Sequence, residues 1–171
     1  MTDPRPLFEV RESTALRMSE VDADGSAAAV WAWREAGLTV RTVRGRKMRD
    51  LNGLFDEMAA ALQFPDYFGE NWPAFDECLA DMEWLPMNVG IVIVVLNPGE
   101  VLVDAPDVEL NVLVRMISHA AETYAQPIES GEWWDRPAVP FHVVLHAEPT
   151  EAAAVRERWQ AAGAQLSELT G

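Results

Sequence analysis

Residues 43–86 read VRGRKMRDLNGLFDEMAAALQFPDYFGENWPAFDECLADMEWLP and decide how the chain folds. Asp50 precedes apolar residues that recur at helical spacing over residues 51–62, and its carboxylate suits the free amides at a helix start. A proline three residues later prevents this helix from continuing far. After a loop over residues 66–73, Asn71 or Trp72 caps a second helix. The apolar side of that helix consists of Phe75, Cys78, Leu79 and Met82.

Strands and helices alternate on either side of this stretch. Residues 38–43 predict a strand before it, and the β-branched run 89–96 predicts a central strand buried on both faces. Periodicity also predicts one or two strands over 7–21, helices over 27–36, 111–123 and 151–162, and a strand over 141–147. This alternation indicates an α/β fold with a largely parallel sheet.

Acidic residues dominate the charge of the chain. It has 28 Asp and Glu against 13 Lys and Arg, a formal net charge of −15, and no Lys or Arg occurs from Asp50 to Val114. Such a surface repels anions and attracts cationic partners, so the composition argues against a protein that follows nucleic-acid phosphates. The basic cluster from Arg41 to Arg49 is the local exception. This cluster could bind RNA weakly, but we favour the interpretation that it balances the acids or frames the first strand and turn.

The sequence indicates neither a membrane protein nor a disulfide-bonded one. The N-terminus, MTDPRPLFEV, lacks a basic start followed by an apolar run, which predicts no signal peptide. The most apolar segment, residues 89–96, is too short to span a bilayer. The single cysteine, Cys78, allows no internal disulfide, and its place on an apolar helix side favours a packed thiol. We therefore expect a cytoplasmic protein.

No motif of an enzyme is present in the sequence. His142 and His146 lie on one face of the predicted strand and could in principle ligate a metal with His119, but no metal-binding spacing supports such a site. Core histidines are the favoured interpretation. Asp76 and Glu77 are adjacent on a helix and point apart, so they make a poor acid–base pair. We predict no catalytic residue, no metal and no cofactor.

The segment 64–72, Phe-Pro-Asp-Tyr-Phe-Gly-Glu-Asn-Trp, resembles the barstar family, small intracellular inhibitors of barnase-type ribonucleases. The strand, turn and helix before it match that family in order and length, and the order of elements extends the resemblance from Leu38 to Ala147. The resemblance implies a three-layer fold with a three-stranded parallel sheet flanked by helices. It also implies that the loop and the following helix block the active site of a basic ribonuclease or nuclease-type toxin.

The resemblance assigns roles to individual residues. Tyr67 matches a loop aromatic that contacts the enzyme, and Glu77 stands where the family has the aspartate that takes the place of a phosphate. Pro73 replaces a second interface aspartate, and Asp76 stands where barstar has an interface tryptophan. The implied partner-binding residues are Tyr67, Phe68, Gly69, Glu70, Asn71, Trp72, Pro73, Asp76, Glu77 and Asp81. A later family glutamate corresponds to Ser118, His119 or Glu122.

The chain is longer than the smallest family members. We divide it into an N-terminal extension (1–37), a barstar-like domain (38–148) and a C-terminal helix and tail (149–171), which together form one compact unit. The added segments either cover sheet edges and enlarge the core or provide a second contact patch. Trp133 and Trp134 are the candidates for that patch, with one of them expected in the core.

Two functions are consistent with the sequence. The leading one is a cytoplasmic inhibitor or immunity protein that acts as a monomer on a basic ribonuclease-type toxin and binds neither nucleic acid nor membrane. The alternative is an interaction module that kept the barstar fold and binds a non-nuclease protein. Pro73 and the added segments favour the alternative.

Overall fold

A five-stranded sheet forms the centre of the protein. The computed structural model describes residues 3–11, 15–87 and 89–169. The strands are β1 (Leu16–Glu20), β2 (Thr39–Arg44), β3 (Ile91–Leu96), β4 (Phe141–Ala147) and β5 (Ser167–Glu168). They lie in the order β2-β3-β4-β1-β5, and every pairing is parallel. The predicted α/β class with a largely parallel sheet is confirmed.

Helices cover both faces of the sheet and complete three layers. They are α1 (Ala23–Glu35), α2 (Leu51–Leu62), α3 (Trp72–Asp81), α4 (Asp107–Ala125) and α5 (Ala152–Ala161). Buried residues of α2 to α5 share one apolar cluster, and those of α1 join a second cluster on the other face. Alternate residues of β3 point to opposite faces of the sheet. Ile93 belongs to the cluster that contains α2 to α5, and Val92 and Val94 belong to the cluster that contains α1. A central strand buried on both faces is therefore confirmed.

The sheet is wider than the three strands that the resemblance implied. Those three correspond to β2, β3 and β4, and the segments before and after them supply β1 and β5. β1 pairs with β4 along its whole length, from Leu16 opposite Val143 to Glu20 opposite Ala147. It thereby covers the edge of β4, a strand with no exposed residue. The sheet then ends at β5, which has only 2 residues and so leaves little open edge.

The N-terminal region departs from its predicted structure. Among the described residues of the range 7–21, Leu16–Glu20 is the one strand, and Arg5–Phe8 forms a short 3-10 helix. Pro6 explains this difference, because its fixed φ and missing amide suit the start of a helical turn. The turn places Leu7, fully buried, in the cluster beside α1. Residues 12–14 of the predicted strands lie outside the described residues.

Two helices begin earlier than periodicity predicted. α1 starts at Ala23 and not at residue 27, because the Asp22 carboxylate accepts a hydrogen bond from the Gly25 amide at 2.8 Å and caps the helix there. α4 starts at Asp107 and not at residue 111. Its first turn contains Asp107 and Glu109, whose negative charges the amino end of a helix favours.

A buried arginine joins the N-terminal region to the sheet. Arg17 on β1 is 4% exposed and donates to Ser167 Oγ, to the Pro6 carbonyl and, at 3.2 Å, to His142 Nδ1. Because Nδ1 accepts, the proton of His142 sits on Nε2, which donates to the Glu9 carbonyl at 2.9 Å. Burial, reinforced by the charge of Arg17, lowers the pKa of His142 to about 4. His142 is therefore a core residue with both ring nitrogens occupied.

The lowered pKa of His142 predicts sensitivity to acid. In the unfolded chain the pKa of His142 returns to about 6.5. The neutral ring of His142 therefore stabilises the fold fully above pH 6.5, and this stabilisation is lost as the pH falls towards 4. We expect a loss of about 2 kcal/mol from this residue at about pH 5. Urea unfolding of the wild type and of His142→Gln at neutral and acidic pH measures it. If acid lowers the urea midpoint of the wild type no further than that of the variant, the lowered pKa of His142 is contradicted.

Candidate partner-binding site

An aromatic cluster holds the loop between α2 and α3 in place. The ring of Phe68 lies 5.0 Å from Phe64 and 5.9 Å from Phe55, measured between centroids. Trp72 packs edge-on against Phe55 at 5.3 Å and Phe75 at 5.5 Å. Offset and edge-on ring pairs add about 0.5–1.5 kcal/mol each beyond the burial of their area. The loop is therefore anchored by its own aromatic side chains.

Backbone hydrogen bonds shape the same loop and start α3. The amide of Phe68 donates to the Pro65 carbonyl at 2.9 Å. Asn71 Oδ1 accepts from the Ala74 amide at 2.9 Å, and Asn71 Nδ2 donates to the Gly69 carbonyl at 3.1 Å. Asn71 thus caps α3 and ties the cap to the loop, which settles the choice between Asn71 and Trp72. Glu70 adopts a left-handed conformation with φ of 50°.

The loop residues divide into anchoring and exposed ones. Phe68 and Trp72 are half-buried, and Trp72 Nε1 also donates to Glu109 Oε2 on α4 at 2.8 Å. Tyr67, in contrast, is 72% exposed, although a side chain of its size would normally gain from burial. Gly69, Glu70, Asn71 and Pro73 are exposed as well. Among the aromatic residues of the loop, Tyr67 alone is exposed.

Carboxylates surround Tyr67 at the carboxyl end of α3. We call Tyr67, Glu77, Asp81 and Glu83 the acidic face. Desolvation, followed by electrostatic interactions with Cys78, Asp81 and Glu77, raises the pKa of the Tyr67 hydroxyl. Desolvation, followed by the charges of Glu83 and Glu77, likewise raises the pKa of Asp81. Each group makes ionisation of its neighbours harder, so a cation placed here would relieve repulsion.

Asp76 lies beside the acidic face but has a partner of its own. Its Oδ1 is 2.7 Å from His119 Nδ1 on α4. His119 is therefore the member of the candidate trio that contacts α3, whereas Ser118 and Glu122 line a separate cavity together with Gln165. Pro73 occupies the second position of α3 and offers no carboxylate. At residue 73 the chain therefore lacks the acid that the resemblance leads one to expect, and the acid at residue 76, where the family has a tryptophan, is not free.

A nearby cation was missed in the sequence. The guanidinium of Arg136 lies 5.4 Å from the ring centre of Tyr124, whose hydroxyl donates to the Leu79 carbonyl of α3 at 2.8 Å. Arg136 also donates to the Thr123 carbonyl, and its charge lowers the pKa of Asp81 against the larger opposing effects. The sequence shows an arginine in the loop that follows α4. Nothing near residue 136 in the sequence indicates that it lies close to residue 81.

The expectation that Trp133 or Trp134 enters the core is wrong. They are 87% and 47% exposed and pack against each other with ring centres 5.4 Å apart. The loop turns them outward because the Asp135 carboxylate accepts from the Ser130 and Gly131 amides, at 2.9 and 2.7 Å. These hydrogen bonds close the loop into a turn of its own, so the loop does not fold onto the sheet.

The histidines do not form a metal site. His142 and His146 lie on β4 on the α1 side of the sheet, whereas His119 is on α4, on the opposite side. Within residues 3–11, 15–87 and 89–169, no group of three or more His, Cys, Asp or Glu side chains is arranged to hold a metal ion.

Cys78 is buried and unbonded, as the packed-thiol interpretation predicted. No helix in the described part of the chain has the length and apolarity to cross a membrane.

Solved structures with a similar fold come from Drosophila ORC complexes. Chains in ORC bound to AT-rich DNA and Cdc6, to GC-rich DNA and Cdc6, and to DNA each match with a TM-score of 0.50 and 10% identity over 98% of this chain. The match covers 52%, 53% and 87% of those chains, so this chain spans about half the length of the first two. At this identity the likeness concerns the fold alone.

Sequence comparison is more specific. No curated protein matches the chain. The family described as barstar (barnase inhibitor) matches residues 38–146, which contain β2, β3, β4 and the helices α2, α3 and α4. That range covers more than half of the chain and includes the anchored loop and the acidic face. The chain belongs to the barstar family.

Proposed function

We propose that this protein is a cytoplasmic inhibitor, or immunity protein, that blocks the cationic active site of a ribonuclease-type toxin. One observation carries the proposal. Glu77 and Asp81 are exposed on α3, and neither carboxylate has an ion pair among the described residues, although the backbone amide of Glu83 donates a hydrogen bond to the Asp81 carboxylate. Exposed acids of one sign destabilise the helix that presents them, and a basic partner would remove that cost.

The chemistry of a ribonuclease site explains why carboxylates suit this task. Such an enzyme holds an RNA phosphate with cationic side chains, and a carboxylate can accept the same charge-assisted hydrogen bonds without offering a bond to cleave. Glu77 would enter this anion site, with Asp81 and Glu70 beside it and Tyr67 packing on the rim. The anchored loop limits the conformational entropy that binding would cost.

A second candidate is a module that kept the barstar fold and binds a non-nuclease protein. The hydrogen bond between Asp76 and His119 favours this alternative, as does Pro73, because both reduce the free acids on the first turns of α3. The exposed pair Trp133 and Trp134 also favours a second contact patch, since aromatic side chains are enriched at interfaces.

The decisive experiment measures inhibition and its dependence on salt. The purified protein is mixed with each member of a set of basic ribonuclease toxins, and RNA cleavage and association rates are followed. We expect one toxin to be inhibited, with an association rate about tenfold lower at high than at low ionic strength. The barnase–barstar pair is the standard example of such steering. If no toxin is inhibited and the protein instead binds a non-nuclease protein through Tyr67, the alternative is correct.

A further inference from the structure

The loop between α4 and β4 contains a closed turn over residues 128–136, which we call the tryptophan hairpin. Its two ends are joined by backbone hydrogen bonds between Ile128 and Arg136, at 2.8 and 3.1 Å. Within the turn, the Asp135 carboxylate accepts hydrogen bonds from two backbone amides. The hairpin is therefore ordered by its own hydrogen bonds, and a partner that binds its tip would lose little affinity to the cost of ordering it.

Two exposed tryptophans form the tip of the hairpin. Trp133 is 87% exposed and Trp134 is 47% exposed. Their rings meet edge to face, with 5.4 Å between the ring centres and 84° between the ring planes. In such a pair, the ring that contributes its edge keeps both of its faces open. An indole face is the best aromatic surface for a cation, so the pair offers a binding surface for an Arg or Lys side chain.

Arg136 holds the hairpin beside the acidic face. Its guanidinium lies 5.4 Å from the ring centre of Tyr124, and the Tyr124 hydroxyl donates to the Leu79 carbonyl of α3 at 2.8 Å. Desolvation raises the pKa of Asp81, and the charge of Arg136 acts against this rise, so the two side chains are close in space. The Cα atom of Trp134 is two residues away, within about 8 Å of that of Arg136. The tryptophan pair and the acidic face are therefore neighbours.

The hairpin has the same sign of charge as the acidic face. Together they carry the guanidinium of Arg136 and the carboxylates of Glu77, Asp81, Glu83, Glu129, Glu132 and Asp135. Arg136 is half-buried and donates to three backbone carbonyls, and the balance stays strongly negative with its charge counted. An aromatic tip in a negative surface suits a basic protein. The same charge repels an anionic lipid surface and a second copy of this chain, whose net charge is −15.

We propose that the tryptophan hairpin and the acidic face form one continuous surface for a basic protein partner, in which Trp133 and Trp134 stack on an arginine side chain while Glu77 and Asp81 bind neighbouring cations. This inference rests on the proposed function, because it takes the acidic face to bind a basic protein. It adds a contact that distinguishes arginine from lysine, since the planar guanidinium stacks on a ring face.

Octa-arginine and octa-lysine are suitable probes, because they carry equal charge and each extends to about 26 Å, so that one peptide can contact both parts of the surface. NMR follows each titration of the full-length protein. The indole N–H resonances of Trp133 and Trp134 report on the hairpin, and the ring resonances of Tyr67 report on the acidic face. We expect octa-arginine to shift both sets with one midpoint and to bind about threefold more tightly than octa-lysine.

Tryptophan variants separate stacking from charge. The double variant Trp133→Ala, Trp134→Ala should weaken octa-arginine binding about fivefold, move the Tyr67 midpoint by the same factor and abolish the preference over octa-lysine. Trp31→Ala removes a tryptophan that is 66% exposed on α1, on the other face of the sheet, and should change neither midpoint nor preference. The proposal is overturned if the double variant leaves the Tyr67 midpoint unchanged or if the wild type binds both peptides equally. It is also overturned if the tryptophan resonances move with protein concentration alone, which would indicate self-association.

Failure of this inference and failure of the proposed function give different results. If the double tryptophan variant binds octa-arginine normally while Glu77→Ala weakens binding, the acidic face binds a basic partner and the hairpin is no part of that surface. If Glu77→Ala also binds octa-arginine normally and no ribonuclease is inhibited, the proposed function fails as well.

Discussion

Replacing Glu77 with alanine is expected to weaken binding of the proposed ribonuclease partner by about 100-fold or more. Glu77 is exposed on α3 and has no ion pair within the described residues, so its loss should leave the fold intact. In the complex, its carboxylate would face the cations that hold an RNA phosphate, and removing it leaves those charges buried without a partner. Equilibrium binding and inhibition of RNA cleavage measure the change.

Four further variants make this result specific. Glu77→Gln preserves the size of the side chain and should lose nearly as much affinity, because charge is what matters. Asp76→Ala should reduce the affinity only slightly, because the Asp76 carboxylate is already hydrogen-bonded to His119. Glu122→Ala, an exposed acid of α4 that lines a different cavity, is the control and should bind normally. Unchanged affinity in the double variant Glu77→Ala, Asp76→Ala would show that α3 does not enter the enzyme.

Local chemistry made the elements around the site predictable. The capping carboxylate of Asp50 accepts from the Gly53 amide at 2.8 Å, and α2 spans residues 51–62 as its apolar spacing indicated. Pro73 lies in the first turn of α3, where a missing amide costs nothing. In each case the cause lies within a few residues of its effect. Such features can be predicted from one sequence because no distant contact is needed to produce them.

Long-range contacts account for what the sequence did not predict. His119 meets Asp76 only because α3 packs against α4, and β1 joins the sheet only because its register with β4 brings Leu16 opposite Val143. The outward position of Trp133 depends on a turn held by Asp135. Periodicity reports which side of an element is apolar, but not which other element covers it. The hydrogen bond between Asp76 and His119, which bears on which protein the chain would bind, could therefore not be predicted from the sequence.

Replacing Gly45 with alanine is expected to destabilise the fold by on the order of 4 kcal/mol. Gly45 follows β2, and a Cβ atom built there would lie 2.0 Å from the Asn97 carbonyl oxygen and 2.8 Å from that of Leu96. Both are backbone atoms at the end of β3, so no side chain can rotate away to make room. The two strand ends would have to separate, and the parallel pairing from Arg44 to Leu96 would be strained.

Urea unfolding of Gly45→Ala and Gly99→Ala separates this steric effect from a general cost of losing glycine. Gly99 lies in the short helical turn after β3, and its added Cβ would meet only Val155 Cγ2 at an ordinary 3.6 Å. Alanine restricts the unfolded chain equally at both positions, so the difference between the variants isolates the clash at residue 45. We expect Gly99→Ala to change the free energy of unfolding by less than about 1 kcal/mol. Equal stability of the two variants would mean that the turn after β2 does not press against the end of β3.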